Sequence, residues 1–392
     1  MLVKNAPNKD VRIAIIGAGL GGCAAGCLLQ SAGYEPVVYE QFAEVTRLGA
    51  GIHLSPNVMR VLEKIGIATE LATKGLRPRA FVSRDWDTGA VTLDLALRGV
   101  AEELYGAPYI TAHRGDLQLA LYEALKPGSV RLGKFLQNIE RGGTAIDLFF
   151  SDGTHAEADV VIGADGVHSR IREILLGPEE PIYTGHVAHR SIIPMERFGG
   201  HIFEDTTKWW HPDLHIVVYY ITSNRSHIYL VSGVPQPEWL HDEWAVTGDP
   251  DAVRTAFRGF HDEVQLLLSH CTNVVNWAIL ERKPFELWTD GPLVLLGDAC
   301  HPMKPHMGQG AAMAIEDAAM LVRCIEKYPT NFGYAFEVYA ANRRDRTAKV
   351  QHFSHNNDWL QHTETSEPDW VFGYDVFTAP LLPPNSSLKF SD

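Results

Sequence analysis

The stretch that decides the fold runs from Val11 to Glu40 and reads VRIAIIGAGLGGCAAGCLLQSAGYEPVVYE. The β-branched run Val11 to Ile16 predicts a strand, the glycines from Gly17 to Gly22 predict a tight turn, and the small residues from Leu20 to Ala32 predict a helix. Pro36 to Tyr39 predicts a second strand. The chain therefore begins with a β-α-β unit, which is typical of an α/β fold.

The turn has the residues that a dinucleotide site needs. Gly17, Gly19 and Gly22 let a pyrophosphate approach the backbone, and the amides of the helix that begins near Leu20 face it. Glu40 ends the second strand, where a carboxylate can accept a hydrogen bond from a ribose hydroxyl. The pattern predicts dinucleotide binding and does not by itself choose between NAD and FAD.

Composition narrows the class of protein. The chain has 392 residues, 45% of them hydrophobic, which suits one large domain or two interlocked ones. The net charge of -14 disfavours nucleic acid as a partner. The five cysteines are odd in number and scattered, which fits buried thiols in a reducing cytoplasm. We find no pattern of an export signal or a membrane span, so a cytoplasmic location is expected.

The pattern of residue types changes in the middle third of the chain. Alternating, aromatic-rich segments between residues 182 and 234 predict antiparallel strands. From Pro292 the α/β pattern returns, with helices predicted over 311–327 and from 334 to about 360. We therefore predict a dinucleotide-binding domain made of residues 1–175 and 283–392, which carries the C-terminal helices. A sheet domain, residues 176–282, interrupts it.

Two further motifs pair glycine with an acid. Asp165 and Gly166 follow a buried strand and precede a polar helix start, an arrangement that is also compatible with a purely structural role. Asp298 follows the predicted strand Leu293 to Leu296, at the carboxyl edge of the sheet where open α/β folds bind ligands. The glycine-rich loop after it leads into a helix that begins near Gly310, whose amides favour an anionic group.

Together the three motifs resemble the single-component FAD-dependent aromatic hydroxylases, the family that includes p-hydroxybenzoate hydroxylase and salicylate hydroxylase. The resemblance extends from about Val11 to Arg346. It implies an α/β fold in which a Rossmann-like FAD-binding domain is interrupted by an antiparallel-sheet substrate domain. The residues that it implies for FAD are Gly17, Gly19, Leu20, Gly22, Glu40, Gln41, Arg47, Gly51, Arg114, Asp165, Gly166, Asp298, Pro305, Gly308, Gly310 and Ala311.

The resemblance also implies the reaction cycle. NAD(P)H reduces the flavin, O2 adds to the reduced ring, and the resulting flavin hydroperoxide delivers a hydroxyl to an electron-rich aromatic acid. No separate nicotinamide domain is visible, which agrees with transient binding of the reductant in that family. We favour NADH over NADPH because no set of arginines suited to a 2′-phosphate is present.

Histidines and tyrosines in the middle sheet mark the substrate side. His215 and Tyr219 share one strand face. If residues 222–226 form a hairpin loop, Tyr219 lies opposite Tyr229. Each of these aromatic residues could equally be an ordinary core residue with a satisfied hydroxyl. His53 follows a glycine stretch that passes close to the flavin in the family, and His306 follows Pro305.

With no evident lysine or arginine among these side chains, they suit a small polar heteroaromatic acid whose protons must be shuttled. Within the family the set most resembles the branch that hydroxylates and decarboxylates 6-hydroxynicotinate to 2,5-dihydroxypyridine. The resemblance implies catalytic roles for His53, His215 and Tyr219. Substrate contacts are expected from the same three residues and from Tyr229 and His306.

Other interpretations stay open. Salicylate hydroxylase needs a similar pocket, and flavin-dependent halogenases share the fold but need a catalytic lysine and a tryptophan-rich motif, neither of which is evident. The histidine pairs, such as His301 with His306, lack an evident third ligand, so no metal is expected. The aromatic tail from Ser366 to Asp392 is expected to pack on its own domain or on a second subunit, and the protein is expected to be a monomer or a homodimer.

Overall fold

A computed structural model describes residues 10–45, 49–143, 145–241 and 243–384. The strands in chain order are β1 (Ile13–Ile16), β2 (Val37–Tyr39), β3 (Gly51–Leu54), β4 (Ala80–Asp85), β5 (Val91–Ala96), β6 (Ile110–His113), β7 (Val130–Arg131), β8 (Leu136–Gly142), β9 (Ala145–Phe150), β10 (His155–Ala158), β11 (Val160–Gly163), β12 (Ile182–Pro194), β13 (Thr206–Trp210), β14 (His215–Tyr220), β15 (His227–Pro235), β16 (Ala245–Gly248), β17 (Val274–Glu281), β18 (Thr289–Asp290) and β19 (Leu293–Leu295).

The α-helices in chain order are α1 (Leu20–Ser31), α2 (Pro56–Ile65), α3 (Ala68–Lys74), α4 (Val100–Tyr105), α5 (Arg114–Ala124), α6 (Arg170–Leu176), α7 (Pro250–Ala256), α8 (Asp262–Ser269), α9 (Gly310–Lys327), α10 (Phe332–Asn356) and α11 (Asp369–Phe372).

The first large sheet has the strand order β18-β19-β11-β1-β2-β7. Its strands run parallel except β18, which is antiparallel to β19. Strands β1, β11 and β19 are buried along their whole length, as expected for a parallel sheet that is covered on both faces. The predicted β-α-β start is confirmed, and so is the α/β fold class.

The second large sheet has the order β16-β17-β12-β15-β14-β13-β4-β5. Neighbouring strands are antiparallel, as predicted for the middle of the chain, except that β13 and β4 run parallel. Two of its strands, β4 and β5, come from the segment before residue 176, so this sheet is not built from the predicted 176–282 segment alone. The domain boundaries themselves stay a prediction.

Alternate residues of this second sheet face opposite sides. Trp209 and Ile216 belong to an apolar cluster that also holds Phe257 and Leu267, from the helical region of α7 and α8. Val217 and Tyr219 face the other way, toward the parallel sheet. One side of the sheet is therefore an ordinary core, and the other forms the wall of a cavity.

The C-terminal region packs on its own chain. Trp370, Tyr374 and Phe377 contact the main hydrophobic core, and Phe372 is buried in it, which confirms the first of the two predicted positions of the tail as far as residue 384. Helix α10 ends at Asn356, before the predicted end near Leu360, because Asn357 takes the left-handed conformation with φ 55°. Among the described helices, none is long and apolar enough to cross a membrane.

Candidate active site

A cavity with a volume of about 420 Å³ lies between the two large sheets. Its walls include the predicted cofactor residues Gly19, Leu20, Gly51, Arg114, Gly166, Asp298, Pro305, Gly308, Gly310 and Ala311, and the predicted substrate residues His53, Tyr219, Tyr229 and His306. The structure therefore brings together, in one cavity, most of the residues that the sequence predicted from separate motifs.

The glycine turn after β1 has neighbouring atoms packed against one side of its backbone, the closed side, and free space on the other, the open side. Gly17 has φ +102°, and a Cβ at Gly22 would lie 2.0 Å from the Gly17 carbonyl oxygen, so a side chain at either position is disfavoured. A Cβ at Gly19 would meet nothing within 4 Å among the described residues. Helix α1 begins at Leu20 without a side-chain cap from those residues, so its first amides face the open side.

Glu40 braces this turn. Its Oε2 accepts a hydrogen bond from the Ala18 amide at 2.8 Å, and its Oε1 accepts one from the Phe42 amide at 3.0 Å. Gln41 is exposed beside it, and Arg47 lies outside the described residues. The carboxylate thus holds the turn in shape, and ribose binding by Glu40 stays a prediction.

In the second motif, the Asp165 side chain has a structural role and Gly166 lines the cavity. The Asp165 carboxylate accepts hydrogen bonds from the amides of Arg170 at 2.7 Å and Ile171 at 3.1 Å, so it caps α6. Gly166, with φ +78°, lines the cavity. The structural interpretation that the sequence left open therefore accounts for the Asp165 side chain.

The third motif forms the cavity floor. Asp298 is exposed at the carboxyl end of β19, as the sequence predicted. Helix α9 begins at Gly310, and no side chain of the described residues caps it. Arg114 lines the same cavity, and burial together with the neighbouring charge of Arg190 lowers the pKa of its guanidinium.

Below this loop lies a cluster of fully buried charges. Glu316, Asp317 and Arg343 have 0% exposure. Arg343 donates to Glu316 at 2.7 Å and to Asp317 at 2.6 Å. Although burial opposes ionisation, His301 and the guanidiniums of Arg343 and Arg346 hold the pKa values of the two carboxyl groups below their ordinary values.

The cluster is connected to the loop that carries Gly308 and Gly310. Asn57 donates to Glu316 at 2.7 Å and to Gln309 at 3.2 Å. Gln309 in turn donates to Ser55 Oγ at 2.9 Å. These contacts fix the start of α9 against the start of α2. Ser55 occupies the predicted cap position of α2, but its hydroxyl donates to Asn57 and does not cap the helix.

On the opposite wall the two tyrosines meet as the sequence predicted. Tyr219 pairs with Tyr229 across β14 and β15, and their ring centroids lie 5.3 Å apart. A Cβ at Gly51 would lie 2.5 Å from the Tyr229 ring and 2.7 Å from the Tyr219 ring. Gly51 therefore has to be a glycine because both aromatic rings pack against its backbone.

His53 connects this wall with the loop from Pro305 to Gly310, which we call the flavin loop. Its ring lies 4.1 Å from that of Tyr219, and its Nδ1 forms a hydrogen bond of 2.9 Å with the Tyr109 hydroxyl. Burial lowers the pKa of His53 to about 3 and raises the pKa of Tyr219 well above its ordinary value. At neutral pH the imidazole is neutral and the phenol keeps its proton.

His306 offers a defined proton acceptor. Its Nδ1 lies 2.8 Å from the Ser354 carbonyl oxygen, which can only accept, so Nδ1 carries the proton and Nε2 has a free lone pair. Nε2 is buried with no hydrogen-bond partner among the described residues. Burial lowers the pKa of His306 to about 3. A neutral base is thus held in the cavity wall.

His215 does not line the cavity, in contrast to the prediction that it contacts substrate. The ring lies against Gly233, where a Cβ would be 2.1 Å from His215 Cε1. It contacts the His306 ring, with the centroids 4.8 Å apart. Any role of His215 therefore passes through His306 or through Asn357, which lies 3.3 Å from its Nδ1.

The sequence showed no evident lysine or arginine among the substrate-side histidines and tyrosines, but the structure adds three cations to the cavity. Arg190, Lys208 and Lys304 line it, together with the aromatic residues Tyr109, Trp277 and Trp359. Lys208 could have been found from its place in a short alternating strand next to His215. Arg190, Trp277 and Trp359 carry no local signal, because only the packing of distant segments brings them here.

Comparisons with known proteins agree with this architecture. The model of the family described as "FAD binding domain" matches residues 10–354. The chain belongs to this FAD-binding family.

Its relatives are monooxygenases. The chain is 49% identical over 381 residues to "6-hydroxynicotinate 3-monooxygenase" of Pseudomonas fluorescens, which covers 96% of this chain and 98% of that one. It is 36% identical to "3-amino-4-hydroxybenzoate 2-monooxygenase" of Streptomyces cremeus, over 88% and 86% of the two chains. A solved structure of Klebsiella pneumoniae HpxO with FAD and uric acid matches with a TM-score of 0.80, 26% identity and coverage of 92% and 91%.

The flavoprotein is accordingly an FAD-dependent monooxygenase, and its own residues fit the cofactor. The open side of the Gly19 turn, two uncapped helix starts and the exposed Asp298 carboxylate supply backbone donors and a polar acceptor along one groove. The five cysteine thiols are free and buried. Within the described ranges, no group of three potential metal ligands is assembled.

Proposed function

We propose that this flavoprotein converts 6-hydroxynicotinate to 2,5-dihydroxypyridine. The observation that carries the proposal is the 49% identity, over nearly the whole of both chains, to a protein named for that substrate. In balance, 6-hydroxynicotinate, O2, NADH and two protons give 2,5-dihydroxypyridine, CO2, NAD⁺ and water. A C–O bond forms at the ring carbon that carries the carboxylate, and the C–C bond to CO2 breaks.

FAD, once reduced by NADH, supplies the activation of O2. The chain's own residues hold the ring and its protons. His306 Nε2, whose lone pair is free, accepts a hydrogen bond from the hydroxypyridine and so orients the proton that its ring loses. The Tyr219 hydroxyl keeps its proton and donates a hydrogen bond to the developing charge.

The remaining residues position the substrate. Tyr229 and Tyr219, whose rings meet edge to face, form the aromatic wall against which a substrate ring packs. His53, held by Tyr109, lies between this wall and Gly308 of the flavin loop. Asp298, Arg114 and the starts of α1 and α9 hold FAD, with the other predicted cofactor residues as supports. NADH is preferred to NADPH as reductant.

The test uses the purified yellow protein with NADH, O2 and either 6-hydroxynicotinate or salicylate. NADH loss is followed by absorbance, and products are identified by mass spectrometry. We expect turnover to 2,5-dihydroxypyridine with 6-hydroxynicotinate and no product from salicylate. Product from salicylate alone would overturn the substrate assignment and leave the monooxygenase intact.

A parallel assay with added chloride tests for halogenation. The lack of an evident catalytic lysine was one sequence argument against halogenation, and Lys208 in the cavity removes that argument. We expect the same product with and without chloride. A chlorinated product that requires chloride would contradict hydroxylation. Accumulation of hydrogen peroxide without product from either acid would show that neither is the substrate.

A further inference from the structure

Lys208 is a lysine on the cavity face of β13. Its neighbour Trp209 faces the apolar cluster on the other side of the sheet, so the alternation of the strand turns Lys208 toward the cavity. It pairs with Val217 of β14 and lines the cavity together with Val217 and His306. Only 2% of its surface is exposed.

Its ammonium has polar and aromatic neighbours but no carboxylate in contact. Nζ donates to Asn357 Oδ1 at 2.7 Å and lies 3.5 Å from the centre of the Trp210 ring. No acid within the described ranges forms an ion pair with it, and Asp358, whose charge acts on it from a distance, is exposed. His215 and His306 lie nearby and are neutral. The group is thus surrounded by uncharged partners.

Burying an unpaired ammonium costs about several kcal/mol, and proteins rarely bury one unless an anion joins it. Burial lowers the pKa of Lys208 well below its ordinary value, and an anion beside Nζ would favour the protonated form again. The cavity that it lines is the one proposed to receive an aromatic acid. An anionic oxygen of the ligand would complete the ion pair that the protein itself lacks.

The other cations of the cavity have different surroundings. The Arg190 guanidinium stacks on Trp277 at 3.7 Å from the ring centre. Arg114 is attracted to Asp298 on the cofactor side. Lys304, which precedes Pro305, and Arg190, whose Nε is buried without a hydrogen-bond partner within the described residues, are the alternatives, so both enter the experiment as comparisons.

We propose that Lys208 is a specificity-determining residue that binds an anionic oxygen of the substrate, its carboxylate or its ionised ring oxygen. This assignment rests on the proposed function, since it concerns the same cavity. Asn357 shares its amide between Lys208 and His215, which places the recognised charge next to the histidine pair. Because Lys208 would be a cation in this contact, the cavity would bind anionic aromatic rings more tightly than neutral ones.

The experiment compares the FAD-loaded wild type with Lys208→Met, which keeps the length of the side chain and removes its charge. Ligand binding is measured from the change in the flavin absorption spectrum. The probes are 6-hydroxynicotinate, nicotinate, which lacks the ring oxygen, and 2-hydroxypyridine, which lacks the carboxylate. Lys327→Met, an exposed lysine in the last turn of α9, is the matched control.

We expect Lys208→Met to weaken binding of 6-hydroxynicotinate by about 10- to 100-fold, the usual contribution of a hydrogen bond to a charged group. An equal loss for nicotinate with unchanged 2-hydroxypyridine identifies the carboxylate as the partner. The reverse pattern identifies the ring oxygen. Unchanged binding of all three probes, or a loss only in Lys304→Met or Arg190→Met, overturns the proposal.

Two further measurements keep the result independent of folding and of substrate identity. Lys208→Ala with added propylammonium is expected to regain part of the affinity, which a merely misfolded variant does not do. If the wild type binds salicylate and not 6-hydroxynicotinate, the proposed substrate fails. The Lys208 comparison is then made with salicylate and its neutral amide, and equal effects of Lys208→Met on both overturn the charge recognition.

Discussion

Two regions of the molecule bury ionisable side chains. In the first region these side chains form ion pairs with one another, and in the second, as far as the structure describes it, they do not. Beneath the flavin loop, Glu316, Asp317 and Arg343 are paired with one another and fully buried. On the substrate wall, Lys208 lacks an ion pair and His306 Nε2 lacks a hydrogen bond within the described structure. The three charges of the first region are paired within the chain, whereas Lys208 in the second region has no charged partner among the described residues.

This difference indicates that the first region positions the cofactor loop and that the second recognises the ligand. A buried polar network whose members are all satisfied is rigid, so it can hold the cofactor loop in one shape. Buried polar groups without partners are costly, and they persist where a ligand supplies the missing contact. Variants in the first region should therefore change stability and cofactor content, and variants in the second should change turnover and ligand choice.

The largest effect is expected from Arg343→Met, which removes the guanidinium that the two buried carboxylates of Glu316 and Asp317 share. Removing one member of a buried ion pair typically costs about 3–5 kcal/mol, so we expect little folded, FAD-loaded protein. Urea unfolding and the ratio of flavin to protein absorbance measure this. Arg344→Met, one residue along α10 on an exposed hydrogen bond, is the control and should keep both. Normal FAD content in Arg343→Met would contradict the proposed difference between the two regions.

Tyr219→Phe should act on the substrate side alone. Loss of the hydroxyl is expected to lower the rate of product formation about 100-fold, the lower range for a hydrogen-bond donor to a developing charge, with FAD content unchanged. Product is quantified per NADH consumed. Tyr220→Phe is the matched control, because that hydroxyl accepts from the Phe203 amide on the other face of the sheet. Equal rates in both variants would remove Tyr219 from the mechanism.

Gly22→Ala tests how tightly the nucleotide turn is packed. The new methyl group would lie 2.0 Å from the Gly17 carbonyl oxygen, so we expect about 1–3 kcal/mol lower stability of the apoprotein. Gly19→Ala has open space at its Cβ and should leave apoprotein stability unchanged while it weakens FAD binding. The pair is compared by thermal unfolding with and without FAD. Equal apoprotein stabilities would contradict the closed side of the turn.

The effect that is smallest at neutral pH comes from His189 of β12, whose Nδ1 lies 2.9 Å from Ser232 Oγ. Burial lowers the pKa of His189 to about 4. Below about pH 6.5 the unfolded chain therefore binds a proton that the folded chain does not, and stability falls by up to about 1.4 kcal/mol per pH unit until about pH 4.

In His189→Gln this dependence should be reduced by one proton, whereas His155→Gln, at an exposed position of β10, should keep it. Urea unfolding at pH 7, 6 and 5 measures the slope. An unchanged slope in His189→Gln would mean that the folded chain protonates this histidine as readily as the unfolded one.

Much of the site was predictable because its signals are local. The Gly17–Gly22 turn, Asp298 and the loop to Gly310 each follow a strand and precede a helix or turn, so residue spacing alone places them at the sheet edge. The register that sets Tyr219 against Tyr229 follows from the length of one hairpin loop. These features need no knowledge of distant segments.

Other features depend on contacts that spacing does not encode. The pairing of Arg343 with Asp317 joins two helices, and the partners of Lys208 come from β13 and the end of α10. Strands β4 and β5 join the second sheet beside β13, although they lie far from it in the chain. His215 was predicted to face substrate, but close packing against Gly233 places it behind the wall.

The sequence by itself determined the α/β start, the three motifs and the family, because backbone conformation and alternation act over a few residues. Only the tertiary structure decided which side chains share the cavity, which buried charges are paired and which await a ligand. The physical reason is that burial and electrostatic pairing depend on all neighbours in space. For Lys208 and Arg343, those neighbours come from other elements of the fold.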